Sequence, residues 1–186
     1  MTFYLVRHGE TDWNKEHRLQ GQTNIPMNEN GIRQMKDLAE KMAHQGLKVD
    51  KIISSPLDRA MDSAAIIAEA IDYSDEVLVD EDFIERSFGL LEGKVWDYSM
   101  NFDDPKYQTE TLDILCDRAK AALDKYGFSG DDKVLILSHG AFLTALRIVL
   151  SDYRFGYLDG NYPIIQGNVL CCELSPEKDP HFYNLF

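Results

Sequence analysis

The stretch KVLILSHGAFLTALRIVL (133–150) changes character halfway along. Within residues 133–138, Val134 to Leu137 form an unbroken apolar run between Lys133 and Ser138, the pattern of a strand buried on both faces. After His139 and Gly140 the run AFLTALRIVL (141–150) is long enough for a helix that starts directly behind the strand. Strands covered on both faces by crossover helices read in this way, and they belong to parallel sheets.

The same alternation extends outward in both directions. TFYLV (2–6) reads as a short buried strand. From Gly31, Ile32, Met35, Ala39 and Met42 repeat at helical spacing, and Gly46 is a natural stop. VDKIISS (49–55) is a further strand, and Pro56 behind it fits a first helical turn. Leu57, Ala60, Met61, Ala64, Ile67, Ala68 and Ile71 form that helix's apolar stripe. EVLVDEDF (76–83) predicts a shorter strand, and residues 94–108 a loop. From Glu110 a long helix carries Leu112, Leu115, Ala119, Ala122, Leu123 and Tyr126 on one side, and SGDD (129–132) turns the chain. NVLCCEL (168–174) closes as a strand near a sheet edge. The expectation is an α/β three-layer sandwich, a mainly parallel central sheet with helices on both faces, in one domain spanning 1–186.

The 186 residues carry a net charge of −13. That argues against nucleic acid or an anionic membrane as partner, since a basic surface supplies most of such affinity. A basic pocket in so acidic a chain must be built deliberately. No window approaches the roughly 20 apolar residues of a membrane span. The cysteines (Cys116, Cys171 and Cys172) are odd in number, with no CxxC. Reduced thiols and a cytoplasmic location are expected.

Three strand ends deliver basic side chains. YLVRHGE brings Arg7 and His8, IISSPLDRA brings Arg59 in the following helix, and LILSHGA brings His139. In an open parallel sheet, ligands bind beyond the carboxyl ends of the strands. Both histidines precede a glycine, Gly9 and Gly140, where backbone can approach a ligand or begin a helix. Any one of these features is ordinarily a surface charge or a structural histidine; together they predict an anion pocket. Two arginines suit phosphate oxygens, which their forked donors match in pairs. The same charges repel a divalent cation, and no HxxxH, HExxH, GxxxxGK[ST] or GxGxxG occurs. Such a pocket holds phosphate without a metal. One neutral imidazole can attack phosphorus, the other can stabilise the transferring oxygens as an imidazolium, and a carboxylic acid must protonate the leaving oxygen. Residue reasoning alone does not choose that acid among 32 acidic residues.

LVRHGETDWN (5–14), RLQGQTNIPMNENGIRQ (18–34), SSPLDRA (54–60), IERSFGLLEG (84–93), TET (109–111) and LILSHGA (135–141) resemble, in order, the motifs of the histidine phosphatase superfamily. The resembling branch contains the cofactor-dependent phosphoglycerate mutases and related phosphatases. The resemblance implies a phosphoglycerate mutase-like fold. It implies His8 as phosphorylated nucleophile, Arg7, Arg59 and His139 as the phosphoryl grip, and Glu85 as acid and then base. Asn14 would order the pocket, with Gln20, Gly21 and Gly140 lining it. Asn24, the pair Met27–Asn28 and Thr109 depart from the family's usual Asp, Leu-Thr or Leu-Ser, and Gly; none of them touches the phosphate grip.

A mutase must shield its phosphoenzyme from water. Resembling mutases do so with added segments after the acid-bearing motif, where this chain offers only Lys94 to Gln108. The expected activity is therefore metal-independent hydrolysis of a small phosphorylated metabolite, with no cofactor. The alternatives are a mutase, which would need a 2,3-bisphosphoglycerate primer, and a non-catalytic domain binding phosphorylated ligands. Arg18, Arg86, Lys94, Trp96 and Tyr98 are candidates for the substrate rim. The sequence is compatible with a monomer or an oligomer.

Overall fold

Side chains alternate across a strand, and in the computed structural model that alternation divides the interior into two cores. The structure describes residues 1–97, 99–157, 160 and 162–186. In β1 (Thr2–Arg7), Phe3 and Leu5 face one core, Tyr4 and Val6 the other. β4 (Lys133–Ser138) repeats this, with Val134 and Ile136 opposed to Leu135 and Leu137. β2 (Lys51–Ser54) splits Ile53 from Ile52 in the same way. The first core is closed by α4 (Leu112–Tyr126) and α5 (Gly140–Leu150) through Leu115, Ala119, Phe142 and Leu146. The second is closed by α2 (Glu29–His44) and α3 (Asp58–Ala70) through Met35, Leu38, Met42, Ala64 and Ile67. Each fully buried Leu, Ile, Met or Phe in these layers contributes about 1.5–3 kcal/mol.

With β3 (Leu78–Val79), β5 (Val169–Ser175) and β6 (Lys178–Asn184), the described residues form a six-stranded sheet in the order β3-β2-β4-β1-β5-β6. β1, β2, β3 and β4 run parallel, while β5 pairs antiparallel with both β1 and β6. The three-layer, mainly parallel architecture is thus the one expected. Among the described residues, no helix is long and apolar enough to cross a membrane.

Several elements differ in detail. The strand expected over 76–83 shrinks to β3, because Asp80 turns the chain: its side chain accepts from Asp82 N–H, Tyr126 Oη and Lys125 Nζ. A 3-10 turn, Glu81–Phe83, follows. Pro56 lies before α3 rather than in its first turn. The loop over 94–108 contains a 3-10 turn at Pro105–Tyr107. β6 is an additional strand and takes the edge, leaving β5 one place inside it. α2 starts at Glu29 rather than Gly31, capped by Asn28, whose side chain accepts from Gly31 N–H at 2.8 Å. Such a cap contributes about 1 kcal/mol, which accounts for an Asn at this position. A four-residue helix, α1 (Asp12–Lys15), follows β1; Thr11 and Asn14 form its capping box. All three cysteines are free and buried, and burial pushes the Cys171 thiol up to about 11 and Cys172 to about 12.

Candidate active site

Parallel pairing does the placing. Arg7 lies opposite Ser138, and Leu137 opposite Ser54. The next residues continue the ladder: His8 N–H donates to Ser138 O at 3.0 Å, and Ser55 N–H to Leu137 O at 3.0 Å. Arg7, His8, Ser55 and His139 therefore leave the sheet at one edge. Arg59 arrives there from the first turn of α3, fully buried, and its two terminal nitrogens donate to Thr23 O (2.9 Å) and Gly21 O (2.8 Å). A cavity of about 260 Å³ at this edge is lined by Arg7, His8, Asn14, Gln20, Gly21, Arg59, Glu85 and Gly140. His139 stands behind its wall, fully buried, with its ring centroid 5.0 Å from that of His8.

His8 is 2% exposed and has a defined tautomer. Its Nδ1 lies 2.7 Å from Gly9 O, an acceptor only, so Nδ1 carries the proton and Nε2 keeps its lone pair. Burial, and then the Arg59 and Arg7 charges, hold its pKa well below the usual histidine value, against the pull of the Gly9 carbonyl. His139 is held down likewise, by burial first and then by His8, Arg59, Arg7 and Arg118. Its Nε2 meets Ser55 Oγ at 2.7 Å. Burial and the neighbouring Arg7 charge lower Arg59 to about 10, although Glu85 opposes them. Nε of Arg7, Nε of Arg59 and Nδ1 of His139 are buried without a protein partner. Buried donors and excess positive charge of this kind suit a tetrahedral oxyanion.

Glu85 sits against the N-terminus of α5. Its Oε1 accepts from Phe142 N–H (2.9 Å) and Arg86 N–H (2.9 Å), and its Oε2 from Ala141 N–H (3.2 Å). Arg118 fixes the approach to it by donating to the carbonyls of Asp82, Ile84 and Glu85. The geometry thus brings together all nine candidate residues, from Arg7 to Gly140, within one neighbourhood. Two glycines are there for space. A Cβ at Gly9 would collide with the Gly31 carbonyl, so the close approach is to α2 and not to a ligand. Gly21, with φ +52°, would drive a Cβ into the Glu92 carboxylate.

The rim candidates scatter. Arg18 and Trp96 line the cavity, Arg18 being paired with Glu16 and Gly93 O. Arg86 is buried and lines the neighbouring chamber rather than this cavity, donating to Glu110 O and Asp103 Oδ1. Lys94 lines neither this cavity nor the one beside it. Tyr98 lies outside the described residues. Asn24, one of the departures, accepts from Asp58 N–H at 3.0 Å and so supports the start of α3.

Residue reasoning missed three supports. Glu92 accepts from Gln22 N–H, Thr23 N–H, Thr23 Oγ1 and Phe88 N–H, fixing the loop whose carbonyls aim Arg59. Gln166 Nε2 donates to His8 O (3.1 Å) and Asn14 Oδ1 (3.2 Å). Tyr157 walls the cavity next to Glu85 and Arg86. Of these, only the Glu92 position lay inside a motif-bearing stretch; Gln166 and Tyr157 reach the site through tertiary folding alone. Among the described residues, no three His, Cys, Asp or Glu side chains gather as a metal-binding group.

Residues 3–160 match the family model of the histidine phosphatase superfamily, branch 1. The chain belongs to that superfamily. It is 39% identical over 150 residues to "Uncharacterized phosphatase PhoE" of Bacillus subtilis, covering 79% of this chain and 76% of that one. It is 35% identical over 158 residues to "Probable phosphoglycerate mutase GpmB" of Serratia proteamaculans, covering 77% and 71%. The solved structure of Bacillus stearothermophilus YhfR superposes with a TM-score of 0.78 at 26% identity, over 99% of this chain and 95% of that one.

Proposed function

We propose that the protein is a metal-independent phosphomonoester hydrolase that works through a phosphohistidine on His8. One observation carries the reading: His8 is buried with Nδ1 committed to the Gly9 carbonyl, and it shares the cavity wall with Arg7 and Arg59 and packs against His139, where burial and the two charges disfavour its protonation. The bound phosphoryl group takes hydrogen bonds from Arg7, Arg59 and Nδ1–H of His139, which supply the charge neutralisation that a metal gives elsewhere. The Nε2 lone pair of His8 attacks phosphorus as the P–O bond to the alcohol breaks. Glu85 gives its proton to the leaving oxygen. It then takes a proton from the attacking water, a P–O bond forms, and the P–N electron pair returns to Nε2. Asn14, Gln20, Gly21 and Gly140 shape the pocket around these atoms, and the substrate is a small phosphorylated metabolite.

The experiment is turnover of p-nitrophenyl phosphate in EDTA. Release should persist under chelation and vanish in His8→Ala; activity that depends on added metal would contradict the reading. The likeness to the mutase relative favours a second reading. It predicts interconversion of 2- and 3-phosphoglycerate that depends on a bisphosphate primer.

A further inference from the structure

Next to the phosphate cavity lies a second chamber of about 330 Å³, and Trp96, Phe102 and Tyr157 belong to the walls of both. A phosphomonoester held between Arg7 and Arg59 has one substituent, and these shared walls set the second chamber directly beside the cavity that substituent must leave by. The chamber's remaining apolar lining is Met100 and Leu112. Phe102 is braced by Phe88, ring centroids 5.2 Å apart and tilted by 58°.

The charges in the chamber are the telling part. Its one described cation, Arg86, is committed: it donates to Glu110 O and Asp103 Oδ1, and its guanidinium lies 5.5–6.0 Å from the rings of Phe88, Phe102 and Tyr157. The other charged lining groups, Asp97 and Asp103, are acidic. Arg18, at the cavity edge, is paired with Glu16. A leaving group with its own carboxylate or phosphate would meet carboxylates and aromatic faces and no uncommitted cation among the described residues. A flat apolar ring would find Trp96, Phe102, Tyr157, Met100 and Leu112 to pack against, and it carries no charge for Asp97 or Asp103 to repel.

We infer that this chamber is the leaving-group subsite and that it takes a planar aromatic group bearing no anionic substituent. The inference rests on the phosphatase reading and deepens it. It also sets the site against phosphoglycerates, the substrates of the mutase reading.

The test compares kcat/KM for 2-phenylethyl phosphate, glycerol 1-phosphate and 3-phosphoglycerate. All three are alkyl monoesters, so the need for leaving-group protonation is similar and binding decides the ranking. Phenylethyl phosphate should exceed glycerol 1-phosphate at least tenfold, with 3-phosphoglycerate below both. Trp96→Ala should lower the phenylethyl-to-glycerol ratio about tenfold through KM. Met100→Lys, which adds a cation to the chamber, should raise the ratio of 3-phosphoglycerate to phenylethyl phosphate at least tenfold. Hydrolysis of all three with 3-phosphoglycerate fastest, or with no aromatic preference, overturns the subsite and leaves the phosphatase standing. If none turns over, p-nitrophenyl phosphate decides the phosphatase reading, and calorimetric binding to His8→Ala decides the subsite: tenfold tighter binding of phenylethyl phosphate than of glycerol 1-phosphate upholds it, and equal binding overturns it.

Discussion

Lowering the pH from 7.5 to 5.5 should destabilise the ligand-free protein by an amount that its two buried histidines set. His8 and His139 are 2% and 0% exposed, and burial beside Arg7 and Arg59 holds both well below the usual histidine pKa. As pH falls through about 6.5, the unfolded chain takes up these protons and the folded one does not. Protons bound only by the unfolded state favour it, so stability falls in this window. Each imidazole that stays neutral in the fold costs about 1.4 kcal/mol per pH unit below that value, so the pair costs about 2–3 kcal/mol at pH 5.5. The depressed carboxyl of Asp80 titrates lower and loses its contribution only at more acid pH. Urea denaturation across this range measures the slope. His8→Asn and His139→Asn should each remove about half of it, whatever they do to stability at pH 7.5. Millimolar phosphate should flatten it, because an anion beside Arg7 and Arg59 offsets the part of the depression that their charges add to burial. A slope unchanged in both variants would refute the reasoning.

Two further outcomes follow from the geometry. Glu85→Gln keeps the shape of the side chain but removes the proton donor. Turnover of an alkyl phosphate should fall by about 10²–10⁴-fold and that of p-nitrophenyl phosphate far less; equal losses on both would remove Glu85 from the acid role. Glu92→Gln breaks the charge-assisted bonds to Gln22, Thr23 and Phe88. Stability should drop by about 1–3 kcal/mol, and inorganic phosphate should bind about tenfold more weakly because Arg59 loses its aim. A lower melting temperature with unchanged phosphate affinity would show Glu92 to be structural only.

The parts of the fold legible in the sequence are those whose burial is two-sided. β1 and β4 are apolar at nearly every position because helices cover both of their faces. β6 escaped for the opposite reason: in KDPHFYN only Phe182 is buried, and Pro180 reads as a break although an edge strand tolerates it. Arg7, His8, Arg59 and His139 were legible because each follows a strand, and strand ends converge by topology. Glu85 was not legible from its own residues. The groups that hold its carboxylate include Ala141 and Phe142, 56 and 57 residues away, and no local pattern encodes them. Gln166 lies 158 residues from the His8 carbonyl it binds. Resemblance supplied the acid; only the folded chain supplied the glutamine.

The central claim is that phosphorus passes through Nε2 of His8. The direct measurement is mass-spectrometric mapping of protein mixed with a turning-over phosphomonoester and quenched in alkali, which preserves an acid-labile phosphohistidine. The account predicts one phosphoryl group on the peptide containing His8, absent from His8→Ala and lost at the rate of turnover once the phosphomonoester is exhausted. Turnover with no phosphoenzyme under any quench, or with the phosphoryl group on His139, would contradict it.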